Sequence, residues 1–506
     1  PDAIRDDLAR VQALHDMGLD HARPDAVARR RARGQRTARE NVADLCDAGS
    51  FTEYGALIQA AQRQRRTSEE LARLSPADGL ISGIGTVNAA LFGAADSRCM
   101  VLAYDFTVFA GTQGWMNHKK TDRMLGLALQ WKLPVVLFGE GGGGRPGETE
   151  GLSVHGLDTP TFFRFASLSG KVPLVAIVSG RCFAGNAALV GCCDVIVATR
   201  NANLGMSGPA MIEGGGLGTF APEEIGPVSV QEPNGVIDIV VDDETQAVRV
   251  AQQYLSYFQG ALQSWQCGDQ RMLRHMIPEH RRTPYLIRNV IDCLVDQGSV
   301  LELRAAFAPG MVTALIRVEG KPMGLMANNA MHLGGAVDAR AADKASAFMR
   351  LCNTFDLPIL SLCDTPGFMV GPQAEQSGQV RSSAGMFLAA ASLTVPVFTI
   401  VLRKGYGLGA QSMAGGCFHA PMFNVAWPTG EFGGMGIEGA VRLGFKNELQ
   451  ATPEGPEREA FFDAQVARLY EQGTGTNMAA SMEIDDVIDP ADTRRWIRQG
   501  LMATGR

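Results

Sequence analysis

The sequence lacks the short motifs that mark the commonest nucleotide-binding and hydrolytic sites. It contains no Gly-x-x-x-x-Gly-Lys-Ser/Thr phosphate loop, no Gly-x-Ser-x-Gly nucleophile elbow and no His-Glu-x-x-His zinc motif. Its densest glycine run, Gly139–Gly147, has no lysine. These absences disfavour ATP binding, hydrolysis by a serine triad and zinc chemistry.

Cysteine pairs, basic stripes and long apolar runs are missing as well. The ten cysteines include no Cys-x-x-Cys pair, which favours reduced, mostly buried thiols in a cytoplasmic protein. With 46 basic and 53 acidic residues the formal charge is −7, and without a basic block nucleic acid is not an expected partner. No uninterrupted apolar stretch approaches the ~18 residues of a membrane helix, so we predict no membrane association.

Glycine, by contrast, is over-represented. The chain has 59 glycines in 506 residues, about 12% against a typical ~7%. They follow no collagen-like period. The excess therefore predicts many tight turns, or places where the backbone approaches a ligand closely.

The composition and the hydrophobic pattern of the sequence change after about residue 75. Residues 1–75 are rich in Arg, Ala, Asp and Glu, with apolar residues at helical spacing, which predicts an N-terminal helical arm. From about residue 80, short β-rich runs such as 135–138 and 175–178 alternate with Ala-rich, helix-length segments. This alternation predicts an α/β fold.

An internal repeat divides the α/β part. Four pairs of residues share an offset of 224 positions: Lys120 and Lys344, Pro134 and Pro358, Gly143 and Gly367, Gly185 and Gly409. An ordered set of matches at one offset indicates duplication. We therefore predict two similarly folded α/β domains in tandem, at 76–275 and 276–506, after the arm of residues 1–75.

Each copy contains a Gly-rich turn between an apolar run and a small-residue helix, at 180–187 and 404–410. The backbone N–H groups of such a turn lie beside the positive end of the helix dipole. They can stabilise an oxyanion without any titratable side chain. A single turn of this kind more often only permits a tight bend, but two at equivalent positions favour a function.

Six phrases extend over nearly the whole chain: 37–40 with 47–54, 364–368, 403–407, 426–429, 435–441 and 483–492. In this order and spacing they resemble the carboxyltransferase component of biotin-dependent acyl-CoA carboxylases. That family includes the β subunits of propionyl-CoA and methylcrotonyl-CoA carboxylases.

The resemblance implies two crotonase-like (ββα-superhelix) domains that move a carboxyl group from carboxybiotin to the α-carbon of an acyl-CoA. Both developing charges lie on oxygen, so it implies two oxyanion sites and no metal in this chain. The thioester enolate would be held by amides of Ala184, Gly185 and Asn186, and the biotin ureido oxygen by those of Gly407, Leu408 and Gly409.

The resemblance also implies partners. Homodimers within a hexamer would complete each active site. Biotin would arrive on a carrier domain, and the biotin carboxylase and carrier components would lie on another chain or upstream on the same one.

Seven further loop positions are expected to contact substrate: Gly142, Gly143, Arg145, Asp364, Pro366, Gly367 and Tyr406. Arg145 is the best basic candidate for the phosphates of coenzyme A. Asp364 either orients a loop amide or caps the next helix, and we favour the cap. Tyr406 either packs beside biotin or fills its turn.

Three departures from the family pattern point to a divergent branch. Asn186 stands where many relatives carry Gly, Ala188 stands in place of a Tyr, and the loop at 139–147 is unusually rich in Gly. That branch includes the carboxyltransferase portion of single-chain carboxylases that act on longer acyl-CoAs. Ala188 in place of an aromatic residue would widen the acyl pocket.

Two alternatives remain open. One is the carboxyltransferase subunit of a biotin-dependent acyl-CoA decarboxylase, which shares the fold. The other is an inactive scaffold subunit, which Asn186 and the unusual loop keep in consideration.

Overall fold

A computed structural model describes residues 4–151 and 156–505. The chain forms two compact units, residues 1–260 and 261–506. The boundary between the units lies between Gly260 and Ala261, and residues 4–75 fall within the first unit. The three-part division at 75/76 and 275/276 stays a prediction.

The central strands of the two main sheets are the longest, and the strands at the sheet edges and in the small layers have only two or three residues. They are β1 Thr52–Glu53, β2 Leu80–Thr86, β3 Arg98–Tyr104, β4 Val135–Phe138, β5 Gly141–Gly142, β6 Leu174–Val178, β7 Arg181–Phe183, β8 Val195–Thr199, β9 Asn203–Gly205, β10 Ile239–Val241, β11 Leu301–Leu303, β12 Met311–Val318, β13 Lys321–Asn328, β14 Ile359–Thr365, β15 Val397–Tyr406, β16 Phe423–Ala426, β17 Glu431–Gly433 and β18 Asp486–Val487.

Helices precede, connect and follow these strands, and in the described part of the chain none is both long and apolar enough to cross a membrane. They are α1 Asp6–Asp16, α2 Pro24–Ala32, α3 Ala38–Leu45, α4 Ser68–Leu74, α5 Ala89–Phe92, α6 Trp115–Trp131, α7 Thr161–Ala166, α8 Gly185–Gly191, α9 Pro209–Gly214, α10 Val228–Gln231, α11 Glu244–Ser256, α12 Ile287–Leu294, α13 Ala339–Thr354, α14 Pro372–Gln376, α15 Gln379–Ala391, α16 Gly407–Met413, α17 Ile437–Gly444, α18 Lys446–Ala451, α19 Pro456–Gln472, α20 Gly475–Ala480 and α21 Thr493–Ala503.

Each unit is built on a mixed sheet with the same strand order. The first sheet runs β1-β2-β3-β4-β6-β8-β10 and the second β11-β12-β13-β14-β15-β16-β18. In both, the first three strands pair antiparallel and the remaining ones parallel. The α/β prediction is confirmed, and the duplication inferred from the offset of 224 appears in the topology.

A smaller parallel layer lies beside each main sheet. In the first unit it is a separate sheet, β5-β7-β9. In the second unit the final residues of β15 pair with β17 at Lys404–Tyr406. These pairings end at the two Gly-rich turns and so position the candidate site, through β7 in the first unit and through the end of the main-sheet strand β15 in the second.

The central strands are continuous apolar runs because both of their faces are buried. Pro134 and Pro358 immediately precede β4 and β14. Proline has no backbone N–H, so no hydrogen-bond acceptor is needed there. Their carbonyls accept the amides of Met100 and Gly324, both at 2.8 Å. Proline at this position therefore starts a strand without removing a ladder bond.

The repeat-related lysines are structural. The buried Lys120 ammonium on α6 donates to the carbonyls of Gly55 (3.1 Å), Ala77 (3.2 Å) and Leu80. The Lys344 ammonium on α13 donates to those of Arg304 (2.7 Å) and Phe307 (2.9 Å). Burial lowers the pKa of Lys120 to about 8. Both side chains tie a central helix to the segment between the first and second strands of its sheet.

Candidate active site

The first Gly-rich turn joins β7 to α8 through a strained residue. Ala184 has φ 53° and ψ −124°, a backbone conformation that residues with a Cβ rarely adopt. Its amide donates to the carbonyl of Gly205 at 3.0 Å, so it is already paired. No acceptor in the described part of the chain pairs with the amides of Gly185 and Asn186. Of the three amides that the resemblance implied as donors, those two are therefore available.

The glycine loop at 139–147 lies against this turn. Gly143 has φ +72°, and a Cβ there would come within 2.6 Å of the Ala184 Cβ. A Cβ on Gly185 would collide with Oε1 of the buried Gln113. Gln113 also accepts the Arg145 amide at 2.8 Å and donates its own amide to Gly143 at 2.6 Å. Glycine is thus required on both sides of the contact.

Asn186 acquires a role that the sequence did not indicate. Its side chain is fully buried. Nδ2 donates to the carbonyls of Gly111 (3.0 Å) and Glu140 (2.7 Å), while Oδ1 accepts the Gly143 amide at 3.3 Å. The asparagine therefore ties the glycine loop to the turn, and the Gly143 amide is not free for a ligand.

The second turn reproduces this arrangement. Gly407 (φ +58°) begins α16, and a Cβ on Gly409 would lie 2.6 Å from the carbonyl carbon of Gly367. The Gly367 carbonyl accepts the Val337 amide at 3.0 Å, and the Met369 amide donates to Val337 at 2.9 Å. These bonds match, at the offset of 224, the bonds that Gln113 makes in the first unit.

Leu408 is exposed and Gly409 is buried, and no described acceptor pairs with the amides of Gly407, Leu408 or Gly409. Gly142 is exposed in β5, whereas Pro366 is half-buried. A cleft of about 370 Å³ borders this turn, lined in part by Gly405, Gly407, Gln411, Phe432, Gly433 and Gly434.

Asp364 does not cap a helix, and this corrects the alternative we favoured. It lies inside β14 with a fully buried side chain. Its carboxylate accepts the Lys404 amide (3.1 Å) and an Arg403 guanidinium N–H (3.1 Å). The carboxylate therefore fixes an amide of β15, the strand that leads into the second turn, rather than a loop amide.

Arg145 does not present its charge to a ligand, and this is a second correction. Its side chain is 2% exposed and pairs with Asp78 and, at 3.4 Å, with Glu148. The guanidinium also donates to the Thr112 carbonyl at 2.9 Å and lies 4.9 Å from the Phe109 ring centroid. Because the guanidinium is buried and its N–H groups have internal partners, it is not available to bind a phosphate. Arg145 instead holds the loop in place.

Tyr406 fills its turn. The side chain is buried, and its hydroxyl donates to Oε1 of Glu431 at 2.9 Å. Burial, with the Glu431 charge nearby, raises the pKa of the phenol far above its ordinary value. The ring packs with Ile437, Val441 and Val466. Tyr406 therefore supports the second turn from behind.

Sequence patterns missed Gln113, the side chain of Asn186 and the partners of Arg145. Positions 113 and 337 are also separated by 224 and make equivalent backbone bonds, but they carry different residues, Gln and Val, so the sequence repeat did not mark them. No pattern indicates that Asn186 bonds inward. Among the described residues, no group of His, Cys, Asp and Glu side chains could hold a metal ion.

Comparison with known proteins bears on this geometry. Residues 29–504 match the model of the carboxyl transferase domain. The methylmalonyl-CoA carboxyltransferase 12S subunit of Propionibacterium freudenreichii subsp. shermanii is 33% identical over 488 residues, covering 94% of this chain and 90% of its own. The propionyl-CoA carboxylase beta chain of Saccharopolyspora erythraea is 31% identical over 498 residues, covering 94% and 89%.

Solved structures agree. A single-chain, multi-domain long-chain acyl-CoA carboxylase is 57% identical, with a TM-score of 0.93 over 98% of this chain. The chain spans about half of that protein, 49% of its length. The transcarboxylase 12S structure is 31% identical, with a TM-score of 0.85, covering 99% of this chain and 94% of its own. The chain therefore belongs to the carboxyl transferase domain family, that of the carboxyltransferase components of biotin-dependent acyl-CoA carboxylases.

Proposed function

We propose that this chain transfers a carboxyl group from carboxybiotin to the α-carbon of an acyl-CoA, with its two Gly-rich turns as oxyanion sites. The supporting observation is the equivalence of the turns, each with unpaired amides and each covered by a glycine loop through the same backbone bonds. Amides serve this purpose because their dipoles are already oriented before charge develops.

The first turn would bind the thioester. Amides of Gly185 and Asn186 would donate to the thioester oxygen as it takes on enolate charge, which lowers the barrier to losing the α-proton. We leave Ala184 out of the donor set because its amide is paired with Gly205. Asn186 contributes in two ways, since its side chain also fixes the loop.

The second turn would bind the biotin ureido oxygen through the amides of Gly407, Leu408 and Gly409. Biotin supplies the carboxyl group and, after giving it up, the basic ureido group that accepts the substrate proton. This division of labour needs no protein base. It agrees with the absence of any titratable side chain from the unpaired amide positions of either turn.

Each unit is proposed to be crotonase-like. The shared order of two antiparallel pairings followed by parallel pairings, with the small layer beside it, supports this assignment. Assembly into dimers within a hexamer, with a biotin carrier and a biotin carboxylase as partners, is proposed from the hexamer of transcarboxylase 12S and the multi-domain carboxylase.

A longer acyl-CoA is the proposed substrate. The likeness to a long-chain acyl-CoA carboxylase supports it, as does Ala188, a small half-buried residue two positions after the donor Asn186. A methyl group in place of a phenol leaves room for additional methylenes, each worth about 0.8 kcal/mol when buried.

The test is carboxyl exchange between malonyl-type CoA thioesters and free biocytin. We expect exchange with the purified chain, faster for the carboxylated palmitoyl-CoA than for malonyl-CoA itself. An alkylmalonyl-CoA of intermediate length provides the graded control. A clear preference for the short thioester would overturn the chain-length assignment. Absence of exchange with every thioester would indicate a scaffold subunit.

A further inference from the structure

An acidic residue in the glycine loop is connected to the N-terminal helices. Glu140 follows β4 and is buried. Its carboxylate accepts a guanidinium N–H of Arg30, on α2, at 2.6 Å. Its carbonyl accepts Asn186 Nδ2 at 2.7 Å. A chain of direct contacts thus leads from α2 through Glu140 to Asn186 and the first turn.

Arg30 is held so that its charge points at this loop. The side chain is 5% exposed. Nε donates to the Arg36 carbonyl at 2.8 Å, one terminal nitrogen also reaches Gln35 Oε1 at 3.2 Å, and the other lies 3.5 Å from a carboxylate oxygen of Glu244, at the start of α11. A guanidinium with partners on all its nitrogens has little rotational freedom.

The second unit has an acid at the equivalent position. Asp364 corresponds to Glu140 at the offset of 224, and Arg403 donates to its carboxylate at 3.1 Å. The arginines come from unrelated places, α2 in one unit and β15 in the other. In both units a buried acid paired with arginine therefore stands at this position, in the glycine loop after β4 in the first unit and near the end of β14 in the second. The shared acid indicates a requirement of the position rather than of either arginine.

We propose that Glu140 and Arg30 are positioning residues for the acyl-CoA turn. They hold the glycine loop where Asn186 can tie it to Gly185, and so set the direction of the two amides. The inference rests on the proposed function of that turn. Under this proposal the N-terminal helices help to position the acyl-CoA site, because Arg30 lies on α2.

The protonation of Glu140 makes the arrangement dependent on pH. Burial raises its pKa to about 7, against the opposing effect of Arg30. Glu244, Asp105 and the neutral thiol of Cys182 are the other titratable groups facing it. Above pH 7 the carboxylate is ionised and attracts Arg30. Below pH 7 it is protonated, the attraction is lost, and the loop loses its fixed position.

The experiment compares Glu140→Gln with the unaltered chain in the exchange assay at pH 8 and pH 6. Glutamine keeps the shape and imitates the protonated acid. We expect kcat/KM for the acyl-CoA to fall about 10- to 100-fold at pH 8, with the KM for biocytin unchanged. At pH 6 the ratio of unaltered to variant rates approaches 1, because both side chains are then neutral. Taking this ratio cancels the pH dependence of biotin itself.

Two further variants keep the test decisive. Glu140→Asp restores the charge on a shorter side chain and should recover part of the loss together with its pH dependence. Arg39→Gln removes a half-buried ion pair of the N-terminal segment, Arg39–Glu53 at 2.8 Å, that does not contact the glycine loop. The ratio of unaltered to Arg39→Gln exchange rates should stay near 1 at both pH values.

A ratio that is the same at pH 6 and pH 8 would overturn the proposal, as would full activity of Glu140→Gln at pH 8. An equal rise in the KM values of both substrates would also contradict it, because that indicates general loss of structure. If the unaltered chain exchanges no carboxyl group, the proposed function fails and this inference fails with it.

Discussion

Replacing Gly409 with alanine is expected to lower carboxyl exchange at least about 100-fold, the scale of losing one oxyanion donor. The new Cβ would lie 2.6 Å from the Gly367 carbonyl carbon, 2.7 Å from its Cα and 2.9 Å from the Phe368 amide nitrogen. All three atoms are backbone, so no side chain can rotate away. Either the loop or the turn must move, and the amides of Gly407 to Gly409 lose their common direction.

The measurement is the exchange rate at saturating acyl-CoA, with thermal unfolding followed in parallel. Gly444→Ala is the matched control, because this glycine lies in α17 with open space around the position of a Cβ. It should keep full activity. Undiminished exchange in Gly409→Ala would remove the second turn from the mechanism. A variant that fails to fold would be replaced by Gly367→Ala, which strains the same contact from the loop side through its φ of +120°.

Replacing Arg145 with methionine is expected to destabilise the first unit by about 3–5 kcal/mol, the cost of leaving one partner of a buried ion pair without the other. Asp78 is fully buried, and burial raises its pKa to about 6 even with Arg145 beside it. Without the guanidinium, the carboxylate must be protonated or remain as an uncompensated buried charge. Thermal unfolding of the variant at pH 8 measures the loss.

The double variant Arg145→Met with Asp78→Asn should recover part of this stability, since it removes the Asp78 charge together with that of Arg145. Glu148 stays charged but keeps the amides of Ala61 and Trp115 as donors, both at 3.2 Å. Arg73→Met breaks an exposed pair, with side chains 66% and 73% exposed, and should change the free energy of unfolding by less than about 1 kcal/mol. The alternative outcome is informative. If Arg145→Met unfolds like the unaltered chain and only raises the KM for acyl-CoA, the arginine is a phosphate ligand after all.

Much of the fold could be predicted from the internal repeat. One offset, read from four residue pairs, anticipated a duplicated α/β chain, and the two sheets have the same order and pairing. Local chemistry explains this success, because glycine and proline act on their own backbone. Pro134 and Pro358 start equivalent strands, and Gly143 and Gly367 adopt positive φ in equivalent loops. Such residues have the same effect wherever the chain carries them.

Side-chain roles were harder, since they depend on partners distant in the sequence. Arg145 looked like a phosphate ligand because it stands in a glycine loop, yet its partner Asp78 is 67 positions away. Asp364 looked like a helix cap because Pro and Gly follow it, yet its carboxylate bonds 40 positions ahead, to the Lys404 amide. No local pattern encodes either contact.

The sequence by itself determined the family, the duplication and the two glycine turns, because these depend on residue order and on backbone preferences that each residue imposes locally. Only the tertiary structure decided which amides are free, which charges are buried, and that Arg30 is connected to the first turn through Glu140. Burial and pairing are properties of the folded neighbourhood. A guanidinium beside water can bind a ligand, whereas a guanidinium beside a buried carboxylate forms a structural ion pair.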